Sequence, residues 1–181
     1  MEKIELGVRD AAIFKLSRHT DNRGEFFKVW SRKKFKKLGI PPCDVAVNLS
    51  VTKRKGTFRG LHYQIGPYAE AKILKCLKGT IFDVIIDLRK NSPTYKKWIG
   101  TELKADYGTL IYIPEGCAHG FLALEDDSVV EYQVSQYHNT DFESGIRFDD
   151  PDFNIQFPVE IDMVSDKDRS WPDFATQTNK L

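Results

Sequence analysis

The sequence lacks any long hydrophobic run. A membrane-spanning helix needs roughly 18 or more consecutive apolar residues, and none of the 181 residues belongs to such a stretch. The segment Met1–Leu6 also lacks the apolar stretch after a positive charge that marks a secretory signal. We therefore expect a cytoplasmic protein that neither spans a membrane nor is secreted.

Cysteine and net charge are scarce as well. The three cysteines, Cys43, Cys76 and Cys117, are odd in number and lack the paired spacing of a zinc site or a disulfide framework. Their thiols are therefore expected to be reduced. The 27 basic and 26 acidic residues nearly cancel, so the net charge of +1 gives no field that would favour nucleic acid. The length suits one globular domain over residues 1–181.

Helix signals are few. One short segment begins after Ser31, a residue type that caps helices, and ends at Gly39, beyond which Pro41-Pro42 cannot continue it. Phe35 and Leu38 would share one face of this segment. Because lysines cover the rest of it, we expect a short helix on the surface.

From Thr57 onward, short apolar or alternating runs separated by turn residues predict strands. The clearest are Ile73–Leu77, Thr80–Leu88, Leu110–Ile113, Phe121–Leu124 and Val129–Val134. Many short strands with almost no helix between them favour an antiparallel sandwich or barrel, and a jelly roll suits the pattern best. The apolar periodicity ends after Pro158, and residues from about 172 to 181 are expected to form a frayed tail.

Histidine is sparse too, and its spacing bears on metal binding. Of the four histidines, His62 and His119 stand in distinctive settings, Arg59–Gln64 and Ile113–Phe121. Barrel metal sites commonly use a His-x-His pair because alternate strand residues point the same way, but the residue two after His62 is Gln64. The sequence therefore predicts no metal ligation, which leaves both histidines free for proton transfer near neutral pH or for structural hydrogen bonds.

Two further polar residues lie on strand faces that are otherwise apolar. Alternation places Tyr132 on the face of Val130, either as a core tyrosine or as a phenol that can donate a proton into a cavity. Lys72 shares its parity with Leu74 and Cys76, so it either extends to the rim or stabilises a developing oxyanion. Arginines could bind phosphate oxygens in a forked geometry, but an isolated arginine is usually a solvated surface residue.

Taken together, these residues belong to a long series of short motifs. In chain order the motifs are Arg59-Gly60-Leu61-His62-Tyr63-Gln64, Lys72, Phe82-Asp83-Val84, Asp87-Leu88-Arg89, Ser92-Pro93-Thr94, Pro114-Glu115-Gly116, His119-Gly120-Phe121, Tyr132, Gly145-Ile146-Arg147, Asp149-Asp150-Pro151 and Ser165-Asp166-Lys167-Asp168. The series resembles the dTDP-4-dehydrorhamnose 3,5-epimerase family from about Asp21 to Asp168, which is nearly the whole chain.

The resemblance implies a fold and an activity. It implies an all-β, cupin-like jelly-roll barrel with a few short surface helices, used without metal or other cofactor, and a homodimer. It also implies an epimerase that inverts C3 and C5 of a nucleotide-linked 4-keto-6-deoxyhexose, converting dTDP-4-dehydro-6-deoxy-D-glucose to dTDP-4-dehydro-L-rhamnose for polysaccharide synthesis.

The matched positions carry the roles expected from the family. His62 would be the general base, Asp168 the carboxylate that orients it, Tyr132 the acid for the opposite face, and Lys72 a cation near the C4 oxygen. The expected substrate-binding residues are Arg23, Phe26, Asn48, Arg59, His119, His138 and Arg147. Such a set suits the reaction, because removing a proton beside a ketone requires a base, a cation at the oxygen and a second proton donor.

Three departures from the family pattern leave the preferred nucleotide and sugar open. Lys28 stands where a glutamate is expected, Ala46–Ser50 replaces a frequent Gln-x-Asn-His-Ser, and Tyr137-His138 replaces a frequent Tyr-Tyr. The alternatives are an epimerase that inverts only C3 or only C5 of a related sugar, a non-catalytic cupin that binds a sugar nucleotide or a protein, and a metal-dependent cupin oxygenase.

Overall fold

The computed structural model describes residues 1–177. Its strands and α-helices are β1 (Glu2–Glu5), β2 (Ala12–Lys15), β3 (Arg18–Asp21), β4 (Gly24–Phe27), α1 (Arg32–Lys37), β5 (Ala46–Thr52), β6 (Phe58–Gln64), β7 (Lys72–Lys78), β8 (Thr80–Asp87), β9 (Trp98–Lys104), β10 (Thr109–Ile113), β11 (Cys117–Ala123), β12 (Ser128–Val134), β13 (Glu143–Gly145) and α2 (Asp166–Arg169). Two 3₁₀ turns, Gly66–Tyr68 and Phe174–Thr176, complete the regular structure of this part of the chain.

The strands form two large antiparallel sheets and one hairpin. The first sheet has the order β1-β2-β10-β7-β12-β5, and the second has the order β13-β6-β11-β8-β9. Strands β3 and β4 form a separate hairpin. Apart from β1-β2 and β8-β9, neighbours in each large sheet are not consecutive in the chain, as in a jelly roll, so the predicted all-β, cupin-like fold is confirmed.

Side-chain alternation along the central strands builds the core between the sheets. In β8, Ile81 and Ile85 point inward and join Leu74 and Val130 from the facing sheet, whereas Val84 points to the other side. Because successive strand residues face opposite ways, one strand serves two apolar layers. This explains why β8 carries apolar residues on both of its faces.

Each sheet also has a covered outer face. The segment after β13 crosses the five-stranded sheet, where Phe157 packs edge-on against Phe58 at 5.4 Å between ring centroids. Helix α1 covers the six-stranded sheet through Phe35, whose ring lies 5.7 Å from that of Phe14. Between the two sheets, residues of both line a cavity, which is the candidate site.

Helix α1 has the predicted bounds, but two details differ. Ser31 is the N-cap residue, as predicted, but its side chain accepts no capping hydrogen bond. Leu38 is 37% exposed and does not pack beside the buried Phe35, because it follows the last helical residue. Gly39 takes a positive φ of 75°, which suits its predicted place at the helix exit.

The sequence analysis predicted too few strands and one strand that is too short. Five strands precede Thr57, and β11 begins at Cys117, four residues before the predicted Phe121. The early strands were missed because they are short or expose their apolar residues. The predicted frayed tail is wrong for residues 172–177: Phe174 packs against the domain, and Gln177 Nε2 donates to Gly145 O at 2.9 Å. The rest of the predicted tail lies outside the described residues.

Helices in the described part of the chain are short. Within residues 1–177, none has the length and apolar character needed to cross a membrane.

Candidate active site

A cavity of about 610 Å³ opens between the two sheets. Its volume lies within the roughly 300–1,000 Å³ typical of small-molecule sites. Strands β6, β7, β11 and β12 and the segment around α2 supply its walls. The predicted residues among its lining are Arg59, His62, Lys72, His119, Tyr132 and Asp168. The fold therefore brings all four predicted catalytic residues to one cavity.

The two central histidines lie side by side because β6 and β11 pair closely. His119 stands directly opposite His62 in the antiparallel register, and the register shifts between His119 and Phe121. A Cβ atom on Gly60 would lie 2.5 Å from the Cα atom of Gly120, so the two backbones approach more closely than side chains allow. The glycines of the Arg-Gly-Leu-His and His-Gly-Phe motifs thus permit this pairing.

His62 is bonded to the predicted carboxylate. Its Nε2 atom lies 2.6 Å from Oδ1 of Asp168, although 106 positions separate the two residues in sequence. Asp168 sits in α2, where its backbone N–H donates to the Ser165 hydroxyl at 3.1 Å. The other carboxylate oxygen, Oδ2, accepts from the Gly60 N–H at 3.3 Å. The carboxylate is thereby held by two bonds, and the backbone of Asp168 by a third.

The ionisation of Asp168 suits its role as an acceptor. Burial raises the pKa of this carboxyl, but the hydrogen bond and charge of His62, with the Gly60 N–H and Ser165, outweigh burial and leave the pKa below its usual value. The ionised carboxylate accepts the Nε2–H of His62. Nδ1 then carries the free lone pair and is the nitrogen that can take a proton.

His119 forms a second, more deeply buried pair. Its Nε2 atom lies 2.7 Å from Oδ2 of Asp83, and both side chains are buried. Oδ1 of Asp83 has no hydrogen-bond partner within residues 1–177. The pair holds the His119 ring at the cavity wall in one orientation, and the sequence did not reveal Asp83 as its partner.

Tyr132 faces the cavity from the opposite sheet. It packs with Val130 on the inner face of β12, as strand alternation predicted. Its hydroxyl has no hydrogen-bond partner in the described part of the chain. Burial first, and the charge of Glu70 second, raise the pKa of the Tyr132 phenol, while Arg59 opposes them. At neutral pH the phenol therefore keeps the proton that a general acid delivers.

Two cations line the same space. Lys72 lies in β7, and its Nζ atom is 3.1 Å from Oε1 of Glu70. Arg59 lies in β6, and its Nε atom donates to the Thr52 hydroxyl at 3.1 Å. Either cation can stabilise an oxyanion or bind a phosphate oxygen within the cavity.

A second cavity of about 320 Å³ adjoins the first and shares His62, Lys72 and Tyr132 with it. Its further lining includes the predicted residues Asn48 and His138, together with Glu70 and Glu143. The two cavities together form an extended site.

Glu143 is a site residue that the sequence analysis missed. Its carboxylate accepts two bonds of 2.7 Å from Lys167 Nζ, and His138 Nε2 lies 3.3 Å away. Burial raises the pKa of Glu143. The hydrogen bond and charge of Lys167, together with the contact with His138, outweigh burial, so the pKa lies below its usual value. No local pattern announced this pairing, because Lys167 is 24 positions away.

Three predicted substrate-binding residues lie outside both cavities of the single chain. Arg23 and Phe26 are exposed on the β3–β4 hairpin, where Arg23 bonds Asp21 at 2.7 Å. Arg147 is held by ion pairs to Asp149 and to the following C-terminal segment. The prediction for Arg147 finds no support in its position.

The histidines and carboxylates of the cavity form separate two-residue pairs, not larger clusters. Within residues 1–177, no group of three or more His, Cys, Asp or Glu side chains is placed to hold a metal ion. Each cavity histidine has its own carboxylate partner. The absence of a metal or other cofactor from the reaction stays a prediction.

The fold and the site define a jelly-roll protein with an acid/base pocket: a histidine–aspartate pair, an unbonded phenol and an ammonium face one space. Comparisons with known proteins identify its family. The sequence model described as dTDP-4-dehydrorhamnose 3,5-epimerase matches residues 5–176. The Shigella flexneri dTDP-4-dehydrorhamnose 3,5-epimerase is 37% identical over 168 residues, which cover 93% of each chain.

Solved structures agree. The crystal structure of dTDP-4-dehydrorhamnose 3,5-epimerase from Elizabethkingia anophelis superposes with a TM-score of 0.93 at 36% identity, covering 98% of both chains. A 3'-monoepimerase from Streptomyces bikiniensis, solved in complex with dTDP-quinovose, has a TM-score of 0.85 at 31% identity, covering 94% of this chain and 87% of that one. This chain belongs to the dTDP-4-dehydrorhamnose 3,5-epimerase family.

Proposed function

We propose that this chain is a cytoplasmic isomerase that inverts C3 and C5 of a nucleotide-linked 4-keto-6-deoxyhexose. The substrate is dTDP-4-dehydro-6-deoxy-D-glucose and the product is dTDP-4-dehydro-L-rhamnose. One observation carries the proposal: a base on one sheet, His62, and an unbonded acid on the facing sheet, Tyr132, line one cavity with Lys72, a cation on the strand beside that of Tyr132. Inversion of a carbon needs such an arrangement, because the proton leaves one face and returns to the other.

Each epimerisation proceeds through an enolate. Nδ1 of His62 removes the proton from the carbon beside the C4 ketone, and the C–H electron pair moves into a carbon–carbon double bond while the carbonyl electrons move onto oxygen. Lys72 stabilises the negative oxygen. Tyr132 then delivers its proton to the opposite face of the carbon. Asp168 stabilises the imidazolium that forms during the step.

The remaining predicted residues serve binding. Arg59 and His119 line the larger cavity, where the sugar and its phosphate oxygens require donors. Asn48 and His138 line the smaller cavity, which provides room for the next part of the substrate.

Deuterium incorporation tests the proposed reaction. When dTDP-4-dehydro-6-deoxy-D-glucose is incubated with the protein in deuterated water, we expect label at both C3 and C5 and formation of the L-rhamno product, measured by NMR and mass spectrometry. Because each inversion replaces the original proton with one exchanged from solvent, two labels mark two inversions.

The second candidate function is inversion at C3 alone, which the likeness to the Streptomyces bikiniensis 3'-monoepimerase favours. Label confined to C3 would establish this alternative and contradict double epimerisation. Absence of label at either carbon would contradict both and leave a protein that binds the sugar nucleotide without turnover.

We also propose that the protein is a homodimer that uses the edge strand β5. Its inward residues, such as Asn48, line the smaller cavity, whereas Val47, Leu49 and Val51 are 62%, 61% and 53% exposed on the other face. A row of exposed apolar side chains on an edge strand is a typical site of association. A second copy could also bring its β3–β4 hairpin to this site, which would give the exposed Phe26 a role.

Leu49→Arg is expected to convert the dimer into a monomer, because it places a charge in the centre of the apolar row. The side chain is exposed in the single chain, so the melting temperature of the monomer should not depend on it. Light scattering after gel filtration measures the mass. Leu38→Arg, an exposed leucine beside α1, is the matched control and should stay dimeric. A monomeric parent protein, or a dimeric Leu49→Arg variant, would contradict the proposal.

A further inference from the structure

Glu70 and Lys72 form an ion pair on the wall between the two cavities. The Nζ and Oε1 atoms are 3.1 Å apart, and the side chains are only 12% (Lys72) and 11% (Glu70) exposed. Lys72 lines both cavities, whereas Glu70 lines the smaller one. The carboxylate therefore contacts the proposed oxyanion-stabilising group from the side away from the larger cavity.

The backbone between the two residues is fixed. Ala71 is fully buried, its N–H donates to the Ser135 hydroxyl at 2.8 Å, and its carbonyl accepts from the Ser135 N–H at 3.0 Å. Glu70 and Lys72 extend from either side of this anchored residue. Because the frame is rigid, the ion pair determines where the long lysine side chain ends.

The charged groups around the pair already have partners of their own. Asp168 is bonded to His62, and Glu143 is bonded to Lys167 and contacts His138. Arg59 faces the larger cavity and bonds Thr52. Within residues 1–177, Lys72 is the cation in contact with Glu70. Removing either member of such a nearly buried pair leaves the other charge uncompensated.

We propose that Glu70 is a positioning residue of this active site. Its carboxylate holds the Lys72 ammonium beside the reacting oxygen, and its negative charge acts on the phenol of Tyr132. The inference rests on the proposed function. An ammonium stabilises a developing oxyanion best when its place is set before the reaction begins. Glu70 supplies that preorganisation without touching the substrate carbon.

The second effect of Glu70 is on the proton of Tyr132. Burial raises the pKa of the Tyr132 phenol most, and the negative charge of Glu70 raises it further. The phenol acts in its protonated form, so activity falls as the pH rises through this pKa. Removing the Glu70 charge lowers the pKa of Tyr132 and therefore moves the alkaline loss of activity to lower pH.

The test is Glu70→Gln, which keeps the side-chain length but removes the charge. We expect kcat to fall by about 10- to 100-fold, as for a misplaced catalytic group, while KM changes little. The alkaline limb of kcat against pH should move to lower pH. Tyrosinate absorbance, recorded as the difference from the same protein carrying Tyr132→Phe, should show Tyr132 ionising at lower pH in the Glu70→Gln background.

Two comparisons make the result decisive. Glu131→Gln removes a carboxylate next to Tyr132 in sequence but on the outer face of the sheet, beside Lys75, and should leave both pH curves unchanged. Glu70→Asp keeps the charge but shortens the reach to Lys72, so it should lower kcat with little change in the Tyr132 titration; it also tests the proposal if Glu70→Gln does not fold.

A Glu70→Gln protein whose kcat, pH profile and Tyr132 titration match the parent would overturn the proposal. So would a variant that loses only thermal stability, because that result assigns Glu70 a structural role. If the parent protein shows no epimerisation, the proposed function fails, but the tyrosinate titration still reports whether Glu70 controls the Tyr132 proton.

Discussion

Replacing His62 with asparagine is expected to abolish solvent exchange at both C3 and C5. The change removes the imidazole whose Nε2 atom is bonded to Asp168 and whose Nδ1 atom holds the lone pair that takes the proton. General bases contribute about 100- to 10,000-fold, so turnover should fall by about this factor. NMR of the substrate in deuterated water measures the loss.

The same variant should keep its fold and its affinity for dTDP. His62 is partly exposed at the cavity wall and belongs to neither apolar layer between or outside the sheets, so its replacement leaves the packing of the core in place. Thermal melting and calorimetric titration with dTDP serve as controls. Exchange that persists at either carbon in folded His62→Asn protein would refute the assignment of His62 as the base.

Replacing Tyr132 with phenylalanine is expected to separate exchange from inversion. The ring keeps its packing on the inner face of β12, but the hydroxyl that faces the cavity is lost. Net epimerisation should fall by about 100- to 10,000-fold, while His62 can still remove a proton and return one to the same face. Deuterium should therefore enter the substrate without change of configuration.

Tyr112→Phe is the matched control, because Tyr112 is a buried tyrosine of the same sheet that packs on the outer layer, away from the cavity. It should epimerise at the rate of the parent. If Tyr132→Phe loses exchange and inversion together and also melts several degrees earlier, Tyr132 is a core tyrosine. If neither rate changes, another donor delivers the proton, and His119 and Tyr137 are the nearest candidates by motif.

Strand faces could be predicted where burial follows simple alternation. Tyr132 shares the inner face with Val130, and Lys72 lines the cavity with Leu74, as their parity indicated. Glu70 has the same parity as Lys72 and could have been found by the same argument. The part of the site on strand β5 could not be found in this way. Its apolar residues such as Leu49 point outward and its polar residues point into the site, which inverts the usual pattern.

The carboxylate of Asp168 illustrates a different limit. Its helix has four residues, which is too short for a periodic signal, and only the Ser165 cap marks it locally. The resemblance to the family identified Asp168 as the partner of His62. Strand alternation and local motifs contained no indication that the two residues meet.

The sequence by itself determined the all-β class and the inward direction of Tyr132. Both depend on neighbouring residues, since alternation acts locally along a strand. Only the tertiary structure decided that Asp168 bonds His62 and that Lys167 forms an ion pair with Glu143. Such contacts depend on which strands become neighbours, and that choice is made by burying the apolar faces of the whole chain at once.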